Sequence, residues 1–246
     1  MSIIHSIINV MKIGVLFYGD LYLRHRDWER TKQKVKEKII DCWRDNEVKV
    51  YFSIRPTPSQ SLLDFYKPVK CNKTVAEMVG KVKDGLESIL SEDLDFVIVT
   101  RLDVVFFKRL SELNLDFNKF NFLFREYNHW DGPKREWWER YYTCDVLLAF
   151  PAKYIQPAID SIWDTFRVPP IPFAHLHTLC SFLVPRIGME NINIVEKEEM
   201  MSGSGYNKYY LLDRYNTAKG DLGPTNIDDF LSLRQTDKKL YQGDVF

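Results

Sequence analysis

"DFVIVTRLDVVFF", Asp95–Phe107, decides how this chain is read. Phe96, Val97, Ile98 and Val99 form one apolar run, and Val104, Val105, Phe106 and Phe107 form another. Such a run reads as a strand buried on both faces, the kind found in parallel sheets. Thr100, Arg101, Leu102 and Asp103 stand between the two runs. In an extended chain, alternation puts Arg101 and Asp103 on one face. They would emerge at the carboxyl edge of the sheet, where α/β proteins place their ligand crevices.

The flanking sequence supplies the partners such a strand needs. "KIGVLFYG" (Lys12–Gly19) reads as a first buried strand ended by glycine, and "VKVYFSI" (Val48–Ile54) as a second. Between them, Asp27–Asp45 carries Val35, Ile39, Ile40 and Trp43 at helical spacing, with Asp27 as N-cap. "RPTPSQS" reads as a loop, and Thr74–Leu90 as an amphipathic helix with a stripe from Val75 to Leu90. Beyond the central stretch, Phe120–Glu126 and Asp145–Pro151 read as strands. Ala152–Phe166 reads as a helix, and Pro172–Gly188 contains another that ends near Pro185. Asn191–Lys197 reads as a last strand, and after Met201 the pattern fades into a glycine-rich polar stretch. Strand and helix alternate, so the expected class is α/β, with a mostly parallel mixed sheet flanked by helices and a Rossmann-like N-terminal half. No repeat or linker divides the chain, which predicts a single domain over 1–246.

A chain of 246 residues, 45% hydrophobic and 14% aromatic, can bury a large core. Its 34 basic and 34 acidic residues cancel, which gives no general argument for nucleic acid or an anionic membrane surface. Cys42, Cys71, Cys144 and Cys180 form no Cys-x-x-Cys pair and read as reduced thiols. The apolar opening is interrupted by His5, Asn9, Lys12 and Asp20, well short of the roughly 18 apolar residues of a membrane span. The expectation is a soluble, cytoplasmic protein, with Met11 as an alternative start and residues 1–10 an extension.

Two opposite charges on one face can satisfy each other as an ion pair. They can also serve a ligand with opposite needs, such as a nucleotide diphosphate with a divalent cation. Asp103 offers a hard oxygen to magnesium or manganese. Arg101 offers a planar donor fork to phosphate or to sugar hydroxyls. Buried pairs are poor stabilisers, which favours the functional alternative.

"DFVIVTRLDVVFF" resembles the central motif of glycosyltransferases with the GT-A fold, which carry Asp-x-Asp after an apolar strand. Here Arg101 stands at the first position, a variant known in several groups. "KIGVLFYGDLYLR" is similar to the start of such enzymes, where the first strand and its glycine receive the nucleotide. The likeness spans roughly residues 12–200 and is closest to small sugar transferases, including those of large algal viruses. It implies a nucleotide-sugar-binding half over 12–107, an acceptor half over 108–200, and a tail or lid over 201–246. It also implies Mn²⁺ or Mg²⁺ on Asp103, with His177 or His175 completing the metal site. Because Arg101 replaces a carboxylate, it can stand in for part of the metal's charge.

Other residues fill out that reading. Phe17 or Tyr18 can stack on a base, Gly19 permits close backbone approach, and Asp20 can accept from a base or ribose. Arg24, His25 and Arg26 can meet a diphosphate. Arg55 ends the second strand. Thr100 precedes the charged pair. Lys83, with Lys81, lies on the helix before it and reads equally as a surface charge. Trp130, Trp137, Trp138, Tyr141 and Tyr142 suit a sugar platform, or fill core. An inverting transfer needs a carboxylate base, for which Asp145 leads over Asp131, Glu136 and Glu139. Retention would need none there. The expected function is transfer of a sugar from a nucleotide sugar, UDP before GDP, to a hydroxyl of a glycan acceptor. The alternatives are a nucleotidyltransferase acting on sugar phosphates and a non-catalytic carbohydrate-binding protein.

Overall fold

The computed structural model describes residues 10–19, 28–55, 58, 60–126, 141–167, 176–200 and 209–212. The apolar runs become strands β1 (Lys12–Gly19), β2 (Glu47–Ile54), β4 (Phe96–Arg101), β6 (Phe120–Glu126) and β7 (Leu147–Pro151). Two more strands join them, β3 (Lys70–Lys73) and β8 (Ile192–Met200), in a seven-stranded sheet of order β3-β2-β1-β4-β7-β6-β8. Its neighbours run parallel except on either side of β7, which is antiparallel to both β4 and β6. This is the mostly parallel mixed sheet the alternation predicts.

Both faces of the sheet are covered, which explains why β4 is apolar throughout its first four positions. Ile13, Val15, Phe17 and Ile98 face α1 (Trp28–Ile39) and α2 (Gln60–Tyr66) through Val35, Ile39, Leu62 and Tyr66. Leu16, Tyr18, Val97 and Val99 face α3 (Met78–Ile89), α4 (Ile155–Thr165) and α5 (Leu179–Ile187). Gly85 lets α3 settle on the sheet, since a Cβ there would lie 2.9 Å from Ser53 Cβ and 2.8 Å from Leu16 Cδ2. No helix among the described residues is long and apolar enough to cross a membrane.

The central stretch does not run on as one strand. β4 ends at Arg101, Leu102 and Asp103 turn, and β5 (Val104–Phe106) leaves the main sheet. It pairs antiparallel with β9 (Tyr210–Leu212), a strand within the stretch where the sequence pattern fades.

Other boundaries also move. α3 begins at Met78 and not at Thr74, leaving Val75 86% exposed rather than in the stripe. Thr74 instead continues the β3 edge by donating its N–H to the Ile54 carbonyl. Its hydroxyl accepts from Ala76 N and donates to Asp84. The "RPTPSQS" loop gives way to α2 within its last two residues. α5 passes through Pro185 to Ile187, where Gly188 closes it with φ 81° and an N–H to the Val184 carbonyl. So late in the helix, proline removes only one backbone hydrogen bond.

Candidate active site at the carboxyl edge

The strand directions gather the polar residues. β1 and β4 end at the same edge, and Tyr18 is registered beside Arg101. β6 is antiparallel to β7 and so ends there too, at Glu126. β7 runs the other way and begins there, which brings Cys144, Asp145 and Val146 to that edge. The turn before α5 adds His177. Of the expected site residues, Tyr18, Arg101, Asp103, Asp145 and His177 therefore assemble from distant parts of the chain.

Arg101 and Asp103 meet, but not as an open pair. Arg101 Nε donates to Asp103 Oδ1 at 2.7 Å and Nη2 donates to Oδ2 at 2.6 Å. The two residues are only 6% and 7% exposed. The expectation of a guanidinium and a carboxylate opening into a crevice is thus corrected: the turn at Leu102 folds one onto the other. Burial would lower the Arg101 pKa, but Asp103 beside it raises it above the ordinary arginine value. The charge is therefore permanent. Tyr18, beneath this pair, donates its hydroxyl to the Asp145 carbonyl at 2.7 Å. Burial, reinforced by Asp145, holds its phenol well above the usual range.

A second polar group lies alongside. His177 Nδ1–H faces Glu126 Oε2 at 2.9 Å and the Thr143 carbonyl at 3.2 Å, while Nε2 lies 3.7 Å from Asp145 Oδ2. Tyr142 stacks on the imidazole, with ring centroids 5.3 Å apart and planes 7° from parallel. Burial would lower the His177 pKa, but Asp145, Glu126 and the Thr143 carbonyl raise it to about 9. His177 is accordingly an imidazolium at neutral pH. Cys144 is fully buried, 3.6 Å from the Tyr210 hydroxyl, and burial with Glu126 and Asp145 pushes its thiol well up.

Several expected ligand contacts are corrected. Phe17 is sealed in the core against Phe52 and Tyr66, so Tyr18 and Phe17 are both unavailable to a base. Thr100 is buried and donates to the Val146 carbonyl at 2.8 Å, joining β4 to the approach to β7. Lys83 binds Glu87 at 2.9 Å and lies 4.5 Å over the Trp163 ring, between α3 and α4. Buried Lys81 donates to the Ala76 carbonyl at the start of α3. Gly19 has φ 124°, a value that L side chains rarely adopt. Arg55 follows β2 at the carboxyl edge and is exposed. Asp20, Arg24, His25, Arg26, Asp27, Trp130, Asp131, Glu136, Trp137, Trp138, Glu139 and His175 lie outside the described residues. Tyr141 packs against the helical core rather than standing as a platform.

Asp103 and His177, the residues expected to hold a divalent ion, are engaged within the protein: both oxygens of Asp103 accept from Arg101, and the two ring nitrogens of His177 face Glu126 and Asp145. Glu126 and Cys144 escape the sequence reading. Their signal was position: Glu126 is a charge closing an apolar strand, just as Arg101 closes β4. No family model matches this chain, and no curated protein matches it.

Proposed function

We propose that the chain transfers a sugar from a nucleotide sugar, with UDP as the first carrier and GDP the second, to a hydroxyl of a glycan acceptor. The observation that carries this reading is the meeting of Tyr18, Arg101, Asp103, Asp145 and His177 at the carboxyl edge of a mostly parallel sheet. Ligands of α/β sheets bind beyond that edge. The resemblance of the Asp95–Phe107 stretch to the GT-A motif supplies the chemistry.

In this reading the Arg101–Asp103 pair is a rigid wall of the donor site and not a pair of free ligand groups. A fixed guanidinium held by a carboxylate needs no reorganisation when charge develops on the departing diphosphate. Asp145, with its side chain 18% exposed, is the more accessible carboxylate and takes the proton of the acceptor hydroxyl if configuration inverts. Tyr18 fixes the backbone that carries it.

A second reading has its own observation. The closed Arg101–Asp103 pair also suits a non-catalytic binding protein with a degenerate transferase fold. Thermal shifts with UDP, GDP and CTP, each with and without Mn²⁺, separate the two. A rise in Tm with a nucleotide, followed by slow release of UDP or GDP from its sugar nucleotide, supports the transferase. No shift with any of them supports the second reading. Asp145→Asn is expected to lower turnover by about 10²–10⁴-fold while the nucleotide shift persists.

A further inference from the structure

Next to the Arg101–Asp103 pair lies a group of donors of which the transferase reading uses only Asp145. Glu126, Cys144 and Asp145 each bring one ligand atom to within 4.8 Å of the others. Glu126 ends β6 and Cys144 lies on the segment alongside it, where Cys144 N donates to the Phe124 carbonyl and Glu126 N to the Tyr142 carbonyl. The backbone therefore fixes two of the three donors relative to each other.

A second observation points to something missing from this group. Glu126 is 8% exposed, and its Oε2 is taken by His177 at 2.9 Å. Its Oε1 is buried and has no hydrogen-bond partner among the described residues. Leaving a buried carboxylate oxygen unpaired is costly. A cation in this place supplies the missing partner.

We infer that Glu126, Cys144 and Asp145 bind a borderline-soft divalent cation of the zinc type, displaced from the Asp103 position where the Asp-x-Asp resemblance puts one. The donor chemistry selects the ion. A thiolate with carboxylates suits Zn²⁺ and Co²⁺, whereas Mg²⁺ takes oxygen ligands. Usual metal–donor lengths put tetrahedral donors roughly 3.5 Å apart, so binding draws the three inward. Cys144 releases its proton to solvent on binding, because the thiolate is the ligand. His177, hydrogen-bonded to the far oxygen of Glu126, orients that carboxylate as outer-shell groups do around metal ligands. Three protein donors leave one tetrahedral position open, the arrangement of catalytic rather than structural zinc. That position accepts water or, resting on the proposed transferase reading, a phosphate oxygen of the donor. Asp145 binds through one oxygen and keeps the other for the acceptor hydroxyl.

The test is a Co²⁺ titration of the full chain after removal of metals by a chelator, without nucleotide. One equivalent of Co²⁺ should bind with a sulfur-to-cobalt charge-transfer band and tetrahedral visible absorption, both abolished by added Zn²⁺. C144S should remove the charge-transfer band. E126Q should weaken Co²⁺ binding at least tenfold while keeping the circular dichroism of the parent. A variant lacking the other three cysteines, C42S/C71S/C180S, should retain the full signal. The site is overturned if the parent chain gives no sulfur band, or if the band survives C144S. Because no nucleotide is present, a positive result without nucleotide binding would sink the transferase reading alone. Nucleotide binding without a cobalt band would sink the metal site alone.

Discussion

Arg101 and Asp103 show how residue type and local geometry are separate matters. Their buried pair, with two hydrogen bonds of 2.7 and 2.6 Å, is expected to be far more costly to break than to replace. Arg101→Ala or Asp103→Ala alone should lose about 3–5 kcal/mol in urea denaturation. The double change Arg101→Met with Asp103→Leu should lose much less, and additive losses would show that the pair is not coupled. His177 gives a pH signature. Its folded pKa, about 9, lies above the ordinary 6.5, so its proton stabilises the fold. In chelator-treated protein this contribution is complete below about pH 6.5 and is lost as pH rises through about 9. The stability difference between the parent and His177→Gln should shrink over that window. A constant difference across it would remove the Glu126–His177–Asp145 coupling. The presence of these groups was legible in the sequence, because a charge between apolar runs is rare. Whether the pair opened or closed was not, since that rests on the single turn at Leu102.

At the scale of elements, the long apolar runs declared themselves. β1, β2, β4, β6 and β7 bury most of their residues, so periodicity or unbroken apolarity marks them. What stayed hidden were β3, α2 and β9. β3 is four residues of Lys, Cys and Asn, with no apolar run to mark it, and it pairs through its backbone with β2. β9 takes its identity from β5, against which Tyr210 is fully buried. α3 shows packing overriding propensity. Alanine is favoured over glycine in helices by about 1 kcal/mol, but overpacking costs about 1–3 kcal/mol. Since a Cβ at Gly85 would meet Ser53 Cβ at 2.9 Å, Gly85→Ala should lower the denaturation midpoint despite its better propensity. A raised midpoint would mean that α3 does not sit this close to β1 and β2.

For the molecule as a whole, the direction of β7 matters most. As an antiparallel strand between β4 and β6, it begins at the edge where they end, and so carries Cys144 and Asp145 to Arg101 and Glu126. Were β7 parallel to the other six strands, Cys144 and Asp145 would lie at the opposite edge from Arg101 and Glu126. The alternation of strand and helix foretold a parallel sheet with a less regular second half, but only the strand order shows why the second half completes the site. The central claim is that a nucleotide sugar binds at this edge. A crystal structure of the chain soaked with UDP-sugar, or with GDP-sugar, tests it most directly. The diphosphate is predicted beyond the carboxyl ends of β1 and β4, next to Gly19 and the Arg101–Asp103 pair. A nucleotide bound at the amino edge or on a helix face, or none bound at saturating concentration, would contradict the account.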